Sequence, residues 1–172
     1  YNNYFNELRN YNELKVLIIG LGNIGHPLAK KLNNLGVIVD SISRSNSDYD
    51  YIRRNFSFEE SFEFLSQYDF IISLLPGNNS TKELINIDFF KRMSNSSTFI
   101  NIGRGSTIKE DDLVEALNKN YFSRAILDVS AIEPIQESSI LFNNSKIFLT
   151  PHIAAFSPSY WTEQINLFEY NL

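Results

Sequence analysis

The sequence has no cysteine, which excludes disulfides, thiolate metal centres and a cysteine nucleophile. Histidine occurs twice and methionine and tryptophan once each in 172 residues. No apolar run approaches the ~18 residues of a membrane-spanning helix. The opening stretch Tyr1–Asn10 is too polar to read as a signal peptide. Basic residues number 15 against 20 acidic ones, a net charge of −5, and no basic cluster is longer than a pair. That balance argues against nucleic acid or an anionic membrane surface as a partner. Hydrophobic residues make up 43% and charged residues 20%, which excludes wholesale disorder. The expectation is one globular domain in the cytoplasm.

Glycine is also scarce, and its placement is informative. Only seven occur, with Gly20, Gly22 and Gly25 close together and Gly103 and Gly105 flanking one arginine. Asparagine, in contrast, is abundant, with pairs such as Asn33–Asn34 and Asn143–Asn144. The sequons it creates, such as Asn95-Ser-Ser, read as compositional bias.

Along the chain, helical and strand patterns alternate. Tyr4, Phe5, Leu8 and Tyr11 share one helical face, and Lys15–Ile19 is a continuous apolar run suited to a central parallel strand. Ile24, Leu28, Leu32 and Leu35 then form a helical stripe that Gly36 closes, with a strand from Gly36 to Val39 after it. Ser57-x-x-Glu60 reads as a capping box for a helix to about Gln67, and Thr107-x-x-Glu110 as a second. Further strands are expected at Asp69–Leu75, Thr98–Ile102, Arg124–Val129 and Lys146–Leu149, with a short helix near Ile87–Met93. Ser157-Pro158 caps a last helix carrying Trp161, Ile165, Phe168 and Leu172. The fold class that follows is α/β, a Rossmann-type doubly wound parallel sheet with helices on both faces. Residues 1–172 are expected to form one domain, with its core at about 14–156.

Gly20-Leu21-Gly22-Asn23-Ile24-Gly25 is a G-x-G-x-x-G sequence between a strand and an amphipathic helix. In that context the first glycine permits the turn, the second lets a pyrophosphate approach the backbone, and the third lets helix and sheet pack. The helix start supplies amide donors. An acid binding the adenosine ribose of NAD belongs about 18 residues later; Asp40 still lies in the strand, and Ser43-Arg44-Ser45 stands at the position instead. Two hydroxyls around a guanidinium suit the 2′-phosphate of NADP.

Asn101-Ile102-Gly103-Arg104-Gly105, Asp128 through Glu133-Pro134, and Thr150-Pro151-His152-Ile153-Ala154-Ala155 each follow a strand. One Arg, one Glu and one His therefore converge on the ligand-binding edge of the sheet. A reaction that puts negative charge on an oxygen needs a cation and a proton donor beside it. An imidazole with an adjacent carboxylate meets the second need and a guanidinium the first.

From about Leu14 to Pro158 these ordered motifs resemble the D-isomer-specific 2-hydroxyacid dehydrogenases, and among them the glyoxylate/hydroxypyruvate reductase A branch. The resemblance implies NADP(H) as preferred cofactor, with NAD(H) possible, and a small 2-keto or 2-hydroxy acid as substrate. It implies that Arg104 holds the substrate carboxylate, His152 donates the proton and Glu133 pairs with the histidine. It assigns Leu74, Leu75, Pro76 and Thr81 to the cofactor wall, and Asp128 to the nicotinamide carboxamide. Ile102, Gly103, Ala154 and Ala155 would surround the nicotinamide ring. The complete enzyme is expected to be a homodimer.

Two departures stand out. Ser130-Ala131-Ile132 replaces the aromatic and acids usual in the family, and the chain is about half of family length. The N-terminal substrate domain is expected to be absent. An NAD-linked relative acting on another 2-keto acid is an alternative reading, as is a dinucleotide-sensing interaction protein on the same fold.

Overall fold

A computed structural model of the chain describes residues 9–44 and 48–170. The apolar run forms strand β1 (Lys15–Ile19), followed by helix α1 (Gly25–Asn34) and strand β2 (Ile38–Ile42). A two-residue strand β3 (Asn55–Phe56) precedes β4 (Phe70–Ser73). Helix α2 (Ile87–Phe90), β5 (Thr98–Asn101), helix α3 (Glu110–Asn118), β6 (Arg124–Leu127) and β7 (Ile147–Leu149) follow, and helix α4 (Tyr160–Tyr170) comes last.

The seven strands form one sheet in the order β3-β2-β1-β4-β5-β6-β7, and every neighbouring pair is parallel. All carboxyl ends therefore share one edge. β1 lies between β2 and β4, so the chain reverses its direction of travel across the sheet there, and the crevice above that point is where doubly wound sheets take ligands.

Burial on both faces explains why the central strands read as continuous apolar runs. Leu17, Ile19, Ile71 and Phe99 point into one core layer, with Phe89, Phe90 and Phe122 from surrounding elements. Val16, Ile18 and Ile72 alternate to the other layer, with Ala29 of α1 and Val37 and Val39. Phe90 stacks on Phe122 at 5.3 Å and meets Phe99 edge-on at 5.3 Å. Each such fully buried side chain stabilises the fold by roughly 1.5–3 kcal/mol.

Several expectations need correction. In the stripe on α1, Leu28 and Leu32 pack inward while Ile24 and Leu35 are exposed. Ser57 and Glu60 do form a capping box, with the Ser57 N–H donating to Glu60 Oε2 at 2.8 Å. It opens two 3-10 turns, Glu60–Glu63 and Leu65–Gln67, and not one α-helix. Thr107 caps nothing: its hydroxyl donates to the Arg104 carbonyl at 2.7 Å, and Lys109 precedes α3 without a side-chain cap. Glu110 instead accepts from the Ala131 N–H at 2.7 Å. Helix α4 begins at Tyr160, past Ser157-Pro158, and its Trp161, Ile165 and Phe168 are exposed. Tyr4, Phe5, Leu8, Ser45 and Leu172 lie outside the described residues.

Candidate active site and dinucleotide cradle

Gly20 directly follows β1 with φ +103°, a conformation that favours glycine, and its N–H donates to the Ile42 carbonyl at 2.9 Å. A Cβ on Gly25 would stand 2.2 Å from the Gly20 carbonyl oxygen, so the close turn into α1 requires glycine. Gly22 differs from both. A Cβ there would meet nothing within 4 Å, so its bare backbone faces open space. Helix α1 starts without a side-chain cap at Ile24; in its first turn the His26 N–H donates to the Gly22 carbonyl at 3.1 Å and Pro27 has no N–H to satisfy. Leu21, Asn23 and Ile24 complete this turn, and Asn23 is exposed. A group bearing phosphates fits such a cradle.

β2 ends beside the Ser43-Arg44 turn. Ser43 is half-buried, its N–H donates to the Phe56 carbonyl at 3.2 Å, and Arg44 is exposed. Asp40, earlier in β2, is buried and does not reach this turn. Its carboxylate accepts from Arg53 Nε at 2.9 Å, Arg54 Nη2 at 3.0 Å and the Tyr68 hydroxyl at 2.6 Å. Burial pushes this carboxyl up, but the bonds from Arg53, Tyr68 and Arg54 outweigh it and hold it below its ordinary value. The same burial and the bond to Asp40 push the Tyr68 hydroxyl well up.

Across the crevice, Leu74 and Leu75 follow β4 and are half-buried, while Pro76 is exposed. Thr81 is buried, its hydroxyl donating to the Pro76 carbonyl at 2.5 Å and accepting from the Asn78 N–H at 3.1 Å. It shapes this wall by closing the loop on itself.

Arg104 is held by its two glycines and by Asn101. A Cβ on Gly103 would lie 2.7 Å from the Leu75 carbonyl oxygen, and one on Gly105 would lie 1.9 Å from the Ser130 carbonyl carbon. The arginine loop therefore presses against the β4 loop on one side and the β6 loop on the other. Asn101, fully buried, donates to the Arg104 carbonyl at 3.1 Å and accepts from the Gly103 N–H at 3.1 Å. Ile102 beside it is half-buried and Arg104 is exposed.

Asp128 follows β6 and is buried. Its Oδ1 accepts from the Thr150 hydroxyl at 2.5 Å and the Ile153 N–H at 2.9 Å, and its Oδ2 from the Ala154 N–H at 2.9 Å. This one carboxylate clamps the loop after β7 on both sides of His152. Within the clamp His152 has φ +56°, which an L side chain rarely adopts. Burial raises the Asp128 carboxyl, and the bonds from Thr150, Ala154 and Ile153 more than offset it, so it lies below its ordinary value. Ala154 and Ala155 are exposed.

His152 Nδ1 and Glu133 Oε2 are 2.7 Å apart, and Glu133 Oε1 accepts from the Ser130 N–H at 3.1 Å. Desolvation raises the Glu133 carboxyl, but the His152 bond, the Ser130 N–H and the positive charges of His152 and Arg104 bring it below its ordinary value. A cavity of about 360 Å³ adjoins this pair, walled by Ile135, Phe142, Leu149 and Pro151. The three residues expected to carry chemistry thus share one edge of the sheet. The sequence reading missed Asn101 as a support, Asn55 beside the Ser43 turn, and the partners of Asp40. Of these only Asn101 carried a signal, its place within a glycine-rich loop after a strand.

Among the described residues no helix is long and apolar enough to cross a membrane, and no cluster of three metal-ligating side chains occurs. The family model for the NAD-binding domain of D-isomer specific 2-hydroxyacid dehydrogenases matches residues 2–154. Glyoxylate/hydroxypyruvate reductase A of Citrobacter koseri is 34% identical over 143 residues, 83% of this chain and 46% of that protein. The Serratia proteamaculans protein of the same name is 32% identical over 140 residues, 81% of this chain and 45% of that one. The chain thus spans about half the length of the curated relatives it matches. An NADPH-dependent glyoxylate/hydroxypyruvate reductase from Sinorhizobium meliloti, solved with NADP and sulfate, has a TM-score of 0.78 at 30% identity, covering 95% of this chain and 55% of that one. A family member from Aeromonas salmonicida reaches 0.84 at 28% identity, with 98% and 56% covered. The family match, the sequence identities and the fold therefore show that this chain belongs to the D-isomer-specific 2-hydroxyacid dehydrogenases, an oxidoreductase family, and corresponds to their NAD-binding domain.

Proposed function

We propose that the chain is the cofactor-binding part of an NADPH-dependent reductase of a small 2-keto acid, glyoxylate or hydroxypyruvate. The observation that carries this reading is the 2.7 Å pair of His152 and Glu133 on the edge that also holds Arg104. Gly22 and the start of α1 would hold the pyrophosphate, and Arg44 beside Ser43 the 2′-phosphate. Leu74, Leu75, Pro76, Ile102 and Ala154 would line the cofactor. A carboxylate has about four acceptor sites, so Asp128 can clamp its loop and still meet the nicotinamide carboxamide. The similarity to glyoxylate/hydroxypyruvate reductases, one of them NADPH-dependent, supports the substrate and cofactor assigned here.

The bound nicotinamide supplies a hydride. Arg104 pairs with the substrate carboxylate and stabilises negative charge on the keto oxygen. His152 gives that oxygen a proton from Nε2, while Glu133 holds Nδ1 and fixes which ring nitrogen faces the substrate. Glu133, kept charged, stabilises the protonated ring. Assembly of complete chains into a homodimer in the cytoplasm belongs to the same reading.

Steady-state kinetics of a complete enzyme carrying this domain test it. Glyoxylate or hydroxypyruvate reduction with NADPH, abolished in Arg104→Ala, is the expected result. Turnover that survives Arg104→Ala would contradict the assignment.

A further inference from the structure

The loop after β6 has an anchor on α3 that the proposed function does not use. Residues 130–135 border two cavities, one of about 360 Å³ beside His152 and one of about 430 Å³ beside the start of α3. Ser130 and Ile135 line both. The Ser130 hydroxyl donates to the Ile132 carbonyl at 2.7 Å, a bond that ties the loop only to itself. Among the described residues, one hydrogen bond joins residues 130–132 to another element: the Ala131 N–H donates to Glu110 Oε1 at 2.7 Å. Glu110 is the first residue of α3 and stands 21 residues away in sequence.

In a trans peptide the C=O and N–H point in opposite directions. The Ser130–Ala131 peptide is held at both. Its carbonyl lies so close to Gly105 that a Cβ there would stand 2.0 Å from the oxygen, and its N–H is taken by Glu110. Ser130 in turn aims the Glu133 carboxylate: its own N–H donates to Oε1 at 3.1 Å, while Oε2 meets His152 at 2.7 Å. Turning the held peptide would turn the Ser130 backbone with it. We propose that Glu110 is a positioning residue for the proton-donating pair: by fixing the Ser130–Ala131 peptide it holds the Glu133 carboxylate against His152. The inference rests on the reading that this pair serves the reaction.

Two variants of the 172-residue chain test it. Glu110→Gln keeps the reach and the acceptor oxygen but loses the charge. Glu110→Asp keeps the charge, and an acid at the helix start, but is one methylene shorter. The readout is the titration of the Glu133 carboxyl by carbon NMR, with folding checked by thermal unfolding. In the wild type the charges acting on this carboxyl are those of His152 and Arg104, and with the His152 bond and the Ser130 N–H they hold it below its ordinary value. Glu110→Asp is expected to move the Glu133 titration up toward that value at a near-wild-type melting temperature, and Glu110→Gln to leave it in place. A role through charge alone gives the reverse order, because losing a nearby negative charge lowers a carboxyl. That order overturns the proposal, as does an unchanged titration in both variants. In a complete enzyme carrying this domain, Glu110→Asp is expected to lower kcat about fivefold, the worth of one hydrogen bond, with the KM for NADPH unchanged, and Glu110→Gln to retain most of kcat. Equal losses in the two variants would also overturn it. A Glu133 titration that moves as expected, in an enzyme whose kcat survives His152→Ala, would overturn the catalytic reading of the pair and leave the positioning by Glu110 standing.

Discussion

The Nδ1 of His152 lies 2.7 Å from the Glu133 carboxylate although the two residues stand 19 apart in sequence and on different loops. Two devices bring them together. Asp128 clamps Thr150, Ile153 and Ala154 around the histidine, and the Ser130 N–H aims the other Glu133 oxygen. The orientation of the ring is thus set by the protein itself, which the general-acid role proposed for it would need.

His152→Ala in a complete enzyme is expected to reduce kcat by about 10²–10⁴-fold, the usual worth of a positioned proton donor. Glu133→Gln is expected to reduce it less, because the ring stays and only its charged partner goes. Steady-state rates at pH 7 check both, and near-native kcat for His152→Ala would remove the histidine from the mechanism.

The glycine turn offers a separation of folding from binding. Gly25→Ala forces a Cβ against the Gly20 carbonyl at 2.2 Å, so both stability and cofactor binding are expected to fall. Gly22→Ala meets nothing within 4 Å, so its melting temperature is expected to stay near wild type while NADPH affinity drops at least tenfold. Thermal unfolding and titration of the two variants measure this. Unchanged affinity for Gly22→Ala would place the pyrophosphate elsewhere.

Asp128 links the site to stability. Asp128→Asn removes the charge from a buried group with three donors, a loss of about 1–3 kcal/mol at pH 7. The folded carboxyl lies below its ordinary value, so its contribution is present above the unfolded pKa of about 3.9 and is lost as pH falls through the folded value. Urea midpoints of wild type and variant are therefore expected to differ at pH 7 and to draw together as the pH falls below the unfolded pKa of about 3.9. A gap that stays constant with pH would show that the charge is not what holds the loop.

How much of this was legible beforehand follows from where each feature gets its stability. Lys15–Ile19 and the glycine turn were readable because a central strand buried on both faces and a close strand–helix turn leave few residue choices. The Arg104 loop was readable for the same reason, two glycines being forced by neighbouring backbone. The two-residue strand β3 was not, because Asn55–Phe56 pairs only through its position beside β2. Thr107-x-x-Glu110 matched a capping pattern, yet the Thr107 hydroxyl turns back to the Arg104 carbonyl three residues earlier, and Glu110 meets the Ala131 N–H from a loop 21 residues away, which spacing along the chain does not reveal. Asp40 was rightly set aside as a strand residue, but its ion pairs with Arg53 and Arg54 come from a segment 13 and 14 residues away.

The isolated 172-residue chain is expected to bind NADPH measurably and to reduce glyoxylate far more slowly than a complete enzyme. The residues proposed to cradle the dinucleotide all belong to this chain, whereas the His152 side chain is exposed, at 50%. Closure over a substrate can supply up to ~7–11 kcal/mol of orientation, which an open site forgoes. Rapid, saturable turnover by this chain would contradict that expectation.

The most direct test is a fluorescence titration of this chain with NADPH and with NADH under the same conditions. A charge-assisted hydrogen bond from Arg44 to the 2′-phosphate is worth about 1.5–3 kcal/mol, so NADPH is expected to bind roughly 10–100-fold more tightly, and Arg44→Ala to remove that difference. Equal affinity for the two cofactors, or a preference that survives Arg44→Ala, would contradict the account.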